Sequence, residues 1–400
     1  LKAGAREGTC QRSRVRSALL VFQAALSVLL LVGAGLFVRS LGNVSQARLG
    51  YDVDRIMLAA RVFRDLPMTD SNRVRIHREL LQAAQSMPQV EAATWVSSVP
   101  FWSTSTDDVF VPGIDSVDRL GRFTYQTATT DYFRASGTRI IRGRGFTDAD
   151  RAGAPPIVIV SESMARVLWP GEDALGKCIR IEADTMPCMS VVGIAEDAMQ
   201  NSLMPEGQNR YYMPIAQYRS TGGFALMLRM RGDVHSQVEP VRKALQVVMP
   251  GQTYVNVLAM EDLIARQRRS WRLGATVFVS FGLLAVVVAA VGMYGVIAYN
   301  VAQRMHELGV RMALGARQGD VVRLVVGQGV TFAVAGVVLG GALAWAGGHW
   351  VEPLLYQQSA RDPMVFGVVG LVLVGVALLA SSIPAASATR ADPQRVLRSE

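Results

Sequence analysis

One stretch of the chain differs from a nucleotide-binding motif by a single hydroxyl group. Gly171 is followed by four residues and then by Gly176, Lys177 and Cys178, whereas a phosphate-binding P-loop reads G-x-x-x-x-G-K-[ST]. The hydroxyl of the last residue in that motif holds Mg²⁺. Because Mg²⁺ prefers hard oxygen ligands, Cys178 cannot take its place.

The surroundings of this stretch also differ from those of a P-loop, which follows a strand and opens a helix. Residues 161–169 predict a short helix with Ser161 as its N-cap, and residues 179–183 alternate like a strand. The order is therefore helix, loop, strand. We interpret the motif as a plain turn and expect any nucleotide site to lie on another chain.

Cysteine and histidine offer little other chemistry. Cys178 and Cys188 lie on neighbouring predicted strands in the external part of the chain, and an oxidising exterior permits a disulfide there if the strand register brings their Cβ atoms together. The four histidines lack ligand spacing, so we expect no metal site. The motifs G-x-S-x-G and H-E-x-x-H are missing from the sequence, and we predict no catalytic residue.

The composition indicates a membrane protein. Half of the 400 residues are hydrophobic and only 18% are charged, which is more apolar than a typical soluble domain. Residues 17–38, 273–300, 324–348 and 364–389 contain no Asp, Glu, Lys or Arg. At about 1.5 Å per residue, each run can cross a hydrocarbon core about 30 Å thick. The first run is longer than a signal-peptide core, so we favour a retained anchor over a cleaved leader.

Basic residues in the short flanks predict the orientation. They concentrate in residues 1–16, 301–323 and 390–400, which places these segments in the cytoplasm and residues 39–270 outside. A cluster of four arginines at the outer end of the second span disagrees with this rule: Arg266, Arg268, Arg269 and Arg272. The net charge of +9 fits cytoplasmic flanks that face anionic membrane lipids, and without a zinc finger or RNA-binding motif it predicts no nucleic-acid partner.

The predicted fold is an α-helical membrane protein with four transmembrane helices and a large α+β extracytoplasmic domain between the first two. The predicted segments are a cytoplasmic leader or connector (1–16), the first span (17–38), the extracytoplasmic domain (39–270), the second span (271–300), a cytoplasmic loop (301–323), the third span (324–348), a short external loop (349–363), the fourth span (364–388) and a cytoplasmic tail (389–400).

The external segment alternates strand and helix signals, which predicts an α+β domain large enough for two packed lobes. The predicted strands cover residues 56–62, 90–96, 123–129, 155–160, 179–183, 190–195, 224–231 and 254–258, and the predicted helices cover residues 70–86, 161–169 and 235–248. Residues 262–272 predict a helix that continues into the second span. The alternative is a kinked junction near Gly274.

The cytoplasmic loop contains a predicted amphipathic helix over residues 304–314. One face carries Met305, Leu308 and Met312, and the other carries Arg304, Glu307 and Arg311. Glu307 precedes Arg311 by four residues, the favourable order for an ion pair. We expect Gly315 to end the helix and Asp320 to cap the third span. From the residues alone, a membrane-surface helix that merely joins two spans remains the alternative.

The stretch HELGVRMALGA resembles the signature of FtsX-like and MacB-like ABC transporter permeases, E-[IL]-G-[IV]-R-x-A-x-G-A. The matching residues are Glu307, Leu308, Gly309, Val310, Arg311, Ala313, Gly315 and Ala316. The tail over residues 389–400 is similar to the closing pattern of the family, and residues 129–150, 155–181 and 191–198 resemble its periplasmic core. The layout of one span, a large external domain and three further spans agrees.

The resemblance implies that the matching residues of the loop dock on an ABC ATPase, which would be a separate cytoplasmic subunit or domain. ATP and Mg²⁺ would then bind in that partner, and this chain would bind no cofactor. The resemblance further implies a bacterial inner-membrane protein that pairs with a second permease half, as a homodimer or a tandem duplicate. Because the chain starts with Leu1, we expect a fragment or one half of a longer polypeptide.

Small residues in the spans suit close helix packing against a second half: Gly336 and Gly340 in G-x-x-x-G spacing, and Gly292 and Gly295 in the second span. The alternative is that these glycines are small residues that only permit helix tilt within one subunit. For the whole protein, the competing functions are a membrane-anchored extracytoplasmic sensor without ATPase coupling and a membrane-tethered hydrolase. We expect no signalling domain in the short tail, which counts against the sensor. The missing hydrolase motifs count against the hydrolase.

Overall fold

A computed structural model describes residues 4–62, 70–200, 203, 209–218, 225–249, 253–305, 307, 310–311 and 317–389. The helices are α1 (Gly4–Gln46), α2 (Asp70–Gln85), α3 (Tyr132–Ser136), α4 (Glu162–Leu168), α5 (Val234–Gln246), α6 (Met260–Gln303), α7 (Gln318–Val351) and α8 (Pro363–Thr389). The strands are β1 (Ile56–Val62), β2 (Val90–Val96), β3 (Val109–Phe110), β4 (Thr124–Ala128), β5 (Ile140–Gly143), β6 (Ile157–Ser161), β7 (Cys178–Ile181), β8 (Met189–Ala195), β9 (Arg210–Pro214), β10 (Ala225–Met230) and β11 (Tyr254–Ala259).

The chain forms two compact units. The helical unit comprises Leu1–Gln46 and Arg268–Glu400, and the α+β unit comprises Ala47–Gln267. Within the described residues, four helices are long and apolar enough to cross a membrane, and each contains one of the predicted spans: α1, α6, α7 and α8. The predicted fold class is therefore confirmed. Helix α6 is uninterrupted from Met260 to Gln303, so the predicted continuation of residues 262–272 into the second span is also confirmed.

The helical unit has an apolar cluster at each end. We call the end where α1 leads into the α+β unit the outer end, and the opposite end the inner end. The inner cluster consists of Met293, Ile297, Val301, Val321, Val325, Ala333, Ala377, Ala380 and Ala385, and Met305 packs against it. It therefore joins the last turns of α6 to the first turns of α7 and to α8.

The first half of the α+β unit is an antiparallel sheet in the order β11-β1-β10-β2. Alternate residues of these strands point to one face, where α2 and α5 cover them. Buried members of this core include Met57 on β1, Leu228 on β10, Leu80 on α2 and Leu245 on α5. The helices α2 and α5 cover the sheet because both carry apolar residues three or four positions apart.

The second half continues the same sheet in the order β4-β9-β6-β8-β7-β3, with β5 beside β8. Strand β4 pairs antiparallel with β2 through Val96 and Ala128, which links the two halves, and β9 pairs parallel with β4 and antiparallel with β6. The buried core of this half includes Val158 on β6, Val191 on β8 and Met164 on α4.

Ser161 caps α4 as predicted, because its hydroxyl accepts a hydrogen bond from the Met164 N–H at 3.2 Å. Every strand and helix predicted in the external segment is present, within a few residues at each end. Among the α-helices and strands of the described residues, four were missed: α3, β3, β5 and β9.

Candidate functional site

The near P-loop is a turn between α4 and β7, as its sequence context predicts. Gly171 and Gly176 both adopt a φ of 78°, a backbone conformation that glycine tolerates without strain. The amide of Gly176 donates to the Val191 carbonyl at 2.8 Å, and the Lys177 ammonium lies 2.6 Å from the Glu172 carboxylate. The groups that would hold a phosphate in a P-loop are thus engaged within the protein.

Cys178 and Cys188 are joined by a disulfide, with their Cα atoms 5.5 Å apart. The register of β7 and β8 explains the contact, because Cys178 lies opposite Ser190, two residues beyond Cys188. This short antiparallel pair brings the two side chains to the same end of the hairpin.

The inner end of the helical unit carries the predicted ATPase-coupling segment. Met305 is half-buried against the inner cluster, two residues beyond the end of α6. Further along the segment, Glu307, Val310 and Arg311 are all exposed. Of the predicted apolar face, only Met305 lies within the described residues, so the amphipathic helix over residues 304–314 stays a prediction.

Glu307 and Arg311 form the predicted ion pair. An Arg311 Nη2 donates to the Glu307 carboxylate at 2.9 Å, and each side chain is 54% exposed. An exposed pair of this spacing stabilises a helix by only about 0.3–0.5 kcal/mol. Both groups are consequently accessible to a partner and contribute little to the stability of the fold.

The other signature residues lie outside the described residues: Leu308, Gly309, Ala313, Gly315 and Ala316. The same holds for Met312, and for the tail over residues 390–400. Their predicted roles therefore stay predictions.

The cap of the third span differs from its prediction. Helix α7 begins at Gln318 with Arg317 as the N-cap residue, so Asp320 is not the cap but lies in the first turn. Its carboxylate accepts a hydrogen bond from the backbone N–H of Arg317 at 3.2 Å, while its own N–H donates to the Arg317 carbonyl at 2.9 Å. An acidic residue three positions after the cap can satisfy the same exposed backbone groups from inside the helix, which is why the sequence pattern was misplaced.

The packing glycines of α7 contact the first span of the same chain. A Cβ atom added at Gly336 would lie 2.3 Å from the Cβ of Ala24, and one added at Gly340 would lie 2.5 Å from the Ala25 carbonyl oxygen. The close packing that we assigned to a second half is thus occupied by α1.

The glycines of the second span differ from each other. A Cβ at Gly292 would approach the Gln23 side chain at 2.9 Å, whereas one at Gly295 would meet nothing within 4 Å. Among the described residues, Gly295 therefore has no close packing neighbour.

One contact at the inner end was not predicted. The guanidinium of Arg16 lies 4.3 Å from the ring centroid of Tyr299, which links the start of the first span to the last turns of α6. The sequence does place a basic residue and an aromatic residue at the same predicted membrane depth. Sequence alone gave no indication that α1 and α6 would place them together.

Comparison with known proteins identifies both units. The family model of the MacB-like periplasmic core domain matches residues 17–269, and that of the FtsX-like permease C-terminal matches residues 279–393. The chain is 26% identical over 270 residues to the pyoverdine export ATP-binding/permease protein PvdT of Pseudomonas savastanoi pv. phaseolicola, covering 65% of this chain and 40% of that protein. It therefore spans about two fifths of the length of that relative.

A relative of more similar length is an uncharacterized ABC transporter permease, YknZ of Bacillus subtilis, which is 22% identical over 328 residues, covering 80% of this chain and 77% of that protein. Among solved structures, the periplasmic region of MacB from Actinobacillus actinomycetemcomitans matches with a TM-score of 0.40 and 14% identity, covering 56% of this chain and 97% of that one. The periplasmic core match alone extends over well more than half of the sequence. The chain accordingly belongs to the family of FtsX/MacB-like ABC transporter permeases, and it is a multi-pass membrane protein with a periplasmic MacB-like domain between its first two spans.

Proposed function

We propose that this chain is the permease part of an ABC-type exporter. It receives a conformational change from a separate cytoplasmic ATPase and passes it to the MacB-like domain. The observation that carries the proposal is the segment at the inner end, where Met305 is held by the inner cluster while Glu307 and Arg311 are exposed. The match of this segment to the docking signature of the family supports the same role.

The packing around Met305 explains how docking of the ATPase moves the transmembrane helices. The inner cluster joins Val301 at the end of α6 to Val321 and Val325 at the start of α7. Because tightly packed cores move as units rather than deforming continuously, a partner that displaces the segment displaces both helices. Helix α6 then extends without a break to Met260, and such a helix can transmit a displacement along its axis.

The proposal assigns ATP and Mg²⁺ to the ATPase, with no cofactor bound by this chain. It also includes a second permease half, provided by another copy or by a tandem duplicate. The direction is export, which the names of two relatives support: one is a pyoverdine export protein and the other a macrolide export protein.

The proposal is tested by capture of the ATPase from native membranes. Replacing Glu307 and Arg311 together by alanine should reduce recovery of an ABC ATPase at least severalfold, because the exposed charges form the contact. Replacing Arg75 and Glu79 by alanine is the matched control, since these residues form another exposed ion pair four residues apart, with Arg75 Nη1 3.0 Å from the Glu79 carboxylate. The control variant should capture as much ATPase as the unmodified chain.

Two results would contradict the proposal. Unchanged ATPase recovery with the Glu307 and Arg311 variant would remove these residues from the docking contact. ATP hydrolysis by the purified chain, free of any companion protein, would overturn the assignment of the nucleotide site to a partner.

A further inference from the structure

The outer end of the helical unit has the features of a membrane boundary. Trp345 and Trp350 on α7 are 55% and 75% exposed. The indole N–H of Trp271 donates to the Leu354 carbonyl at 3.1 Å, and the Arg361 guanidinium lies 4.2 Å from the centre of the Trp345 ring. Exposed tryptophans paired with arginine mark the depth of the lipid head groups.

An apolar groove opens at this same end, between α1 and α8, with a volume of about 390 Å³. It is lined by Gly35, Arg39, Met364, Val365, Val368 and Val369. Among the described residues that line it, Arg39 is the one that carries a charge, and it lies just beyond the charge-free run of the first span. The groove therefore runs from the head-group depth into the hydrocarbon region.

The groove depends on a glycine. A Cβ at Gly35 would lie 2.7 Å from Cγ1 of Val365, so a larger residue there would occupy the space between the two helices. Val368 and Met364 are 51% and 66% exposed along the groove. These side chains present an apolar surface that a single acyl chain can cover.

Arg39 lies at the outer end of the groove and remains partly accessible. Its Nη1 donates to the Asp362 carboxylate at 2.5 Å, and its side chain is 44% exposed. The Asp362 carboxylate is held in place from other directions by Gln358 Nε2 and by the Met364 N–H at 2.9 Å. Within the described part of the chain, the hydrogen bonds of Arg39 all start from Nη1, so the donors on Nε and Nη2 of this partly exposed guanidinium are available to a ligand.

We propose that this groove binds an anionic phospholipid of the outer leaflet. One acyl chain lies against Val365 and Val368, and the head-group phosphate contacts the Nε and Nη2 donors of the Arg39 guanidinium. A lipid is favoured over a soluble anion because the lining below Arg39 is entirely apolar. The site also gives a function to the arginines that disagree with the rule that basic flanks face the cytoplasm. Arg269 and Arg272 are exposed near the same end and attract the same lipids.

The test is native mass spectrometry of the full chain in detergent, titrated with phosphatidylglycerol or with phosphatidylcholine of identical acyl chains. We expect tighter binding of phosphatidylglycerol. Arg39→Gln should weaken that binding about fivefold, the effect of one basic residue near an anionic lipid. Asp362→Asn should strengthen it, because the carboxylate that competes for Arg39 is neutralised while an amide oxygen remains to accept from the Met364 N–H.

Matched variants separate the groove from general effects. Val368→Phe should reduce binding of both lipids by filling the groove, whereas Leu371→Phe, at a 76% exposed position of α8 outside the groove, should not. Arg361→Gln removes a charge from the same end of the unit and should leave phosphatidylglycerol affinity within about twofold of the unmodified chain, because its guanidinium stacks on Trp345.

Three results would overturn the proposal. The first is equal affinity for the two lipids. The second is an equal loss of phosphatidylglycerol binding with Arg361→Gln and Arg39→Gln, which would indicate diffuse charge attraction. The third is an equal loss with Leu371→Phe and Val368→Phe, which would indicate that the groove is not where the acyl chain lies.

Discussion

At the scale of single residues, the carboxylate of Asp150 in the α+β unit accepts four hydrogen bonds. It accepts from both Nη atoms of Arg144, at 2.7 and 2.8 Å, and from the N–H and hydroxyl of Thr147, at 2.8 and 3.0 Å. The guanidinium of Arg144, together with the Thr147 hydrogen bonds, lowers the pKa of the Asp150 carboxyl although its burial opposes this. Asp150 is therefore charged in the folded protein at lower pH than in the unfolded chain.

This shift predicts a pH-dependent contribution to stability. A lowered folded-state pKa stabilises the protein above the unfolded-state pKa, and that stabilisation is lost as the pH falls through the folded-state value. We expect Asp150→Asn to reduce the free energy of unfolding by about 1 kcal/mol at neutral pH, a value discounted because Arg144 is 45% exposed. Thermal unfolding across an acidic pH series should show the two proteins converging as the pH falls. A difference that stays constant would contradict the assignment.

Single residues also show what sequence reasoning could reach. The exchange of a hydroxyl for a thiol at Cys178, and the order of elements around it, were enough to exclude a P-loop. The ion pair of Glu307 and Arg311 followed from helical spacing. The position of Asp320 could not be fixed, because a carboxylate can serve the start of a helix from either of two positions.

At the scale of elements, two adjacent glycines of α7 differ in their contact with α1. A Cβ at Gly340 would lie 2.5 Å from the Ala25 carbonyl oxygen and 2.7 Å from the Cβ of Val28. A Cβ at Gly341 would meet nothing within 4 Å. A side chain at position 340 would therefore collide with α1, whereas one at position 341 would not, although both positions lie in α7.

We expect Gly340→Ala to destabilise the helical unit by about 1–3 kcal/mol, because the backbone of α1 must move away. Gly341→Ala should be neutral or slightly stabilising, since alanine is the better helix former. Thermal unfolding of the two variants in the same detergent measures the difference. Equal unfolding temperatures would show that α1 and α7 are not in close contact in the folded protein.

Strand β9 was missed for a physical reason. Strand β9 begins with Arg210, which is 1% exposed and donates from Nη2 to Gln126 Oε1 at 2.7 Å, with Tyr51 as another partner. A buried arginine satisfied by residues far away in sequence breaks the apolar pattern that signals an interior strand. Strand β6, whose apolar pattern is unbroken, was predicted to within two residues at each end. Which strands pair depends on tertiary contacts that periodicity does not encode.

At the scale of the whole molecule, the spans and the large domain between α1 and α6 followed from charge-free lengths and from the family signature. The sidedness of the inner end rests on the distribution of basic residues. It predicts that Glu307 faces the cytoplasm while the MacB-like domain, including the exposed Asp118, faces outward.

Cysteine labelling of spheroplasts measures this topology. In a Cys10→Ser background, where Cys178 and Cys188 are already bonded to each other, a membrane-impermeant maleimide should label Asp118→Cys and should not label Glu307→Cys. Permeabilised membranes should give labelling at both positions, which controls for the reactivity of each thiol. Labelling of position 307 in sealed spheroplasts would place the coupling segment on the wrong side for an ATPase.

The close packing of α1 against Gly336 and Gly340 determines which helices can replace α1. A generic hydrophobic leader of the same length, rich in leucine, would be inserted into the bilayer just as readily, but its bulky side chains would be too large for a surface shaped around Ala24 and Ala25. Chimeras that exchange this helix for an unrelated anchor should therefore reach the membrane and still lack a properly assembled transmembrane bundle.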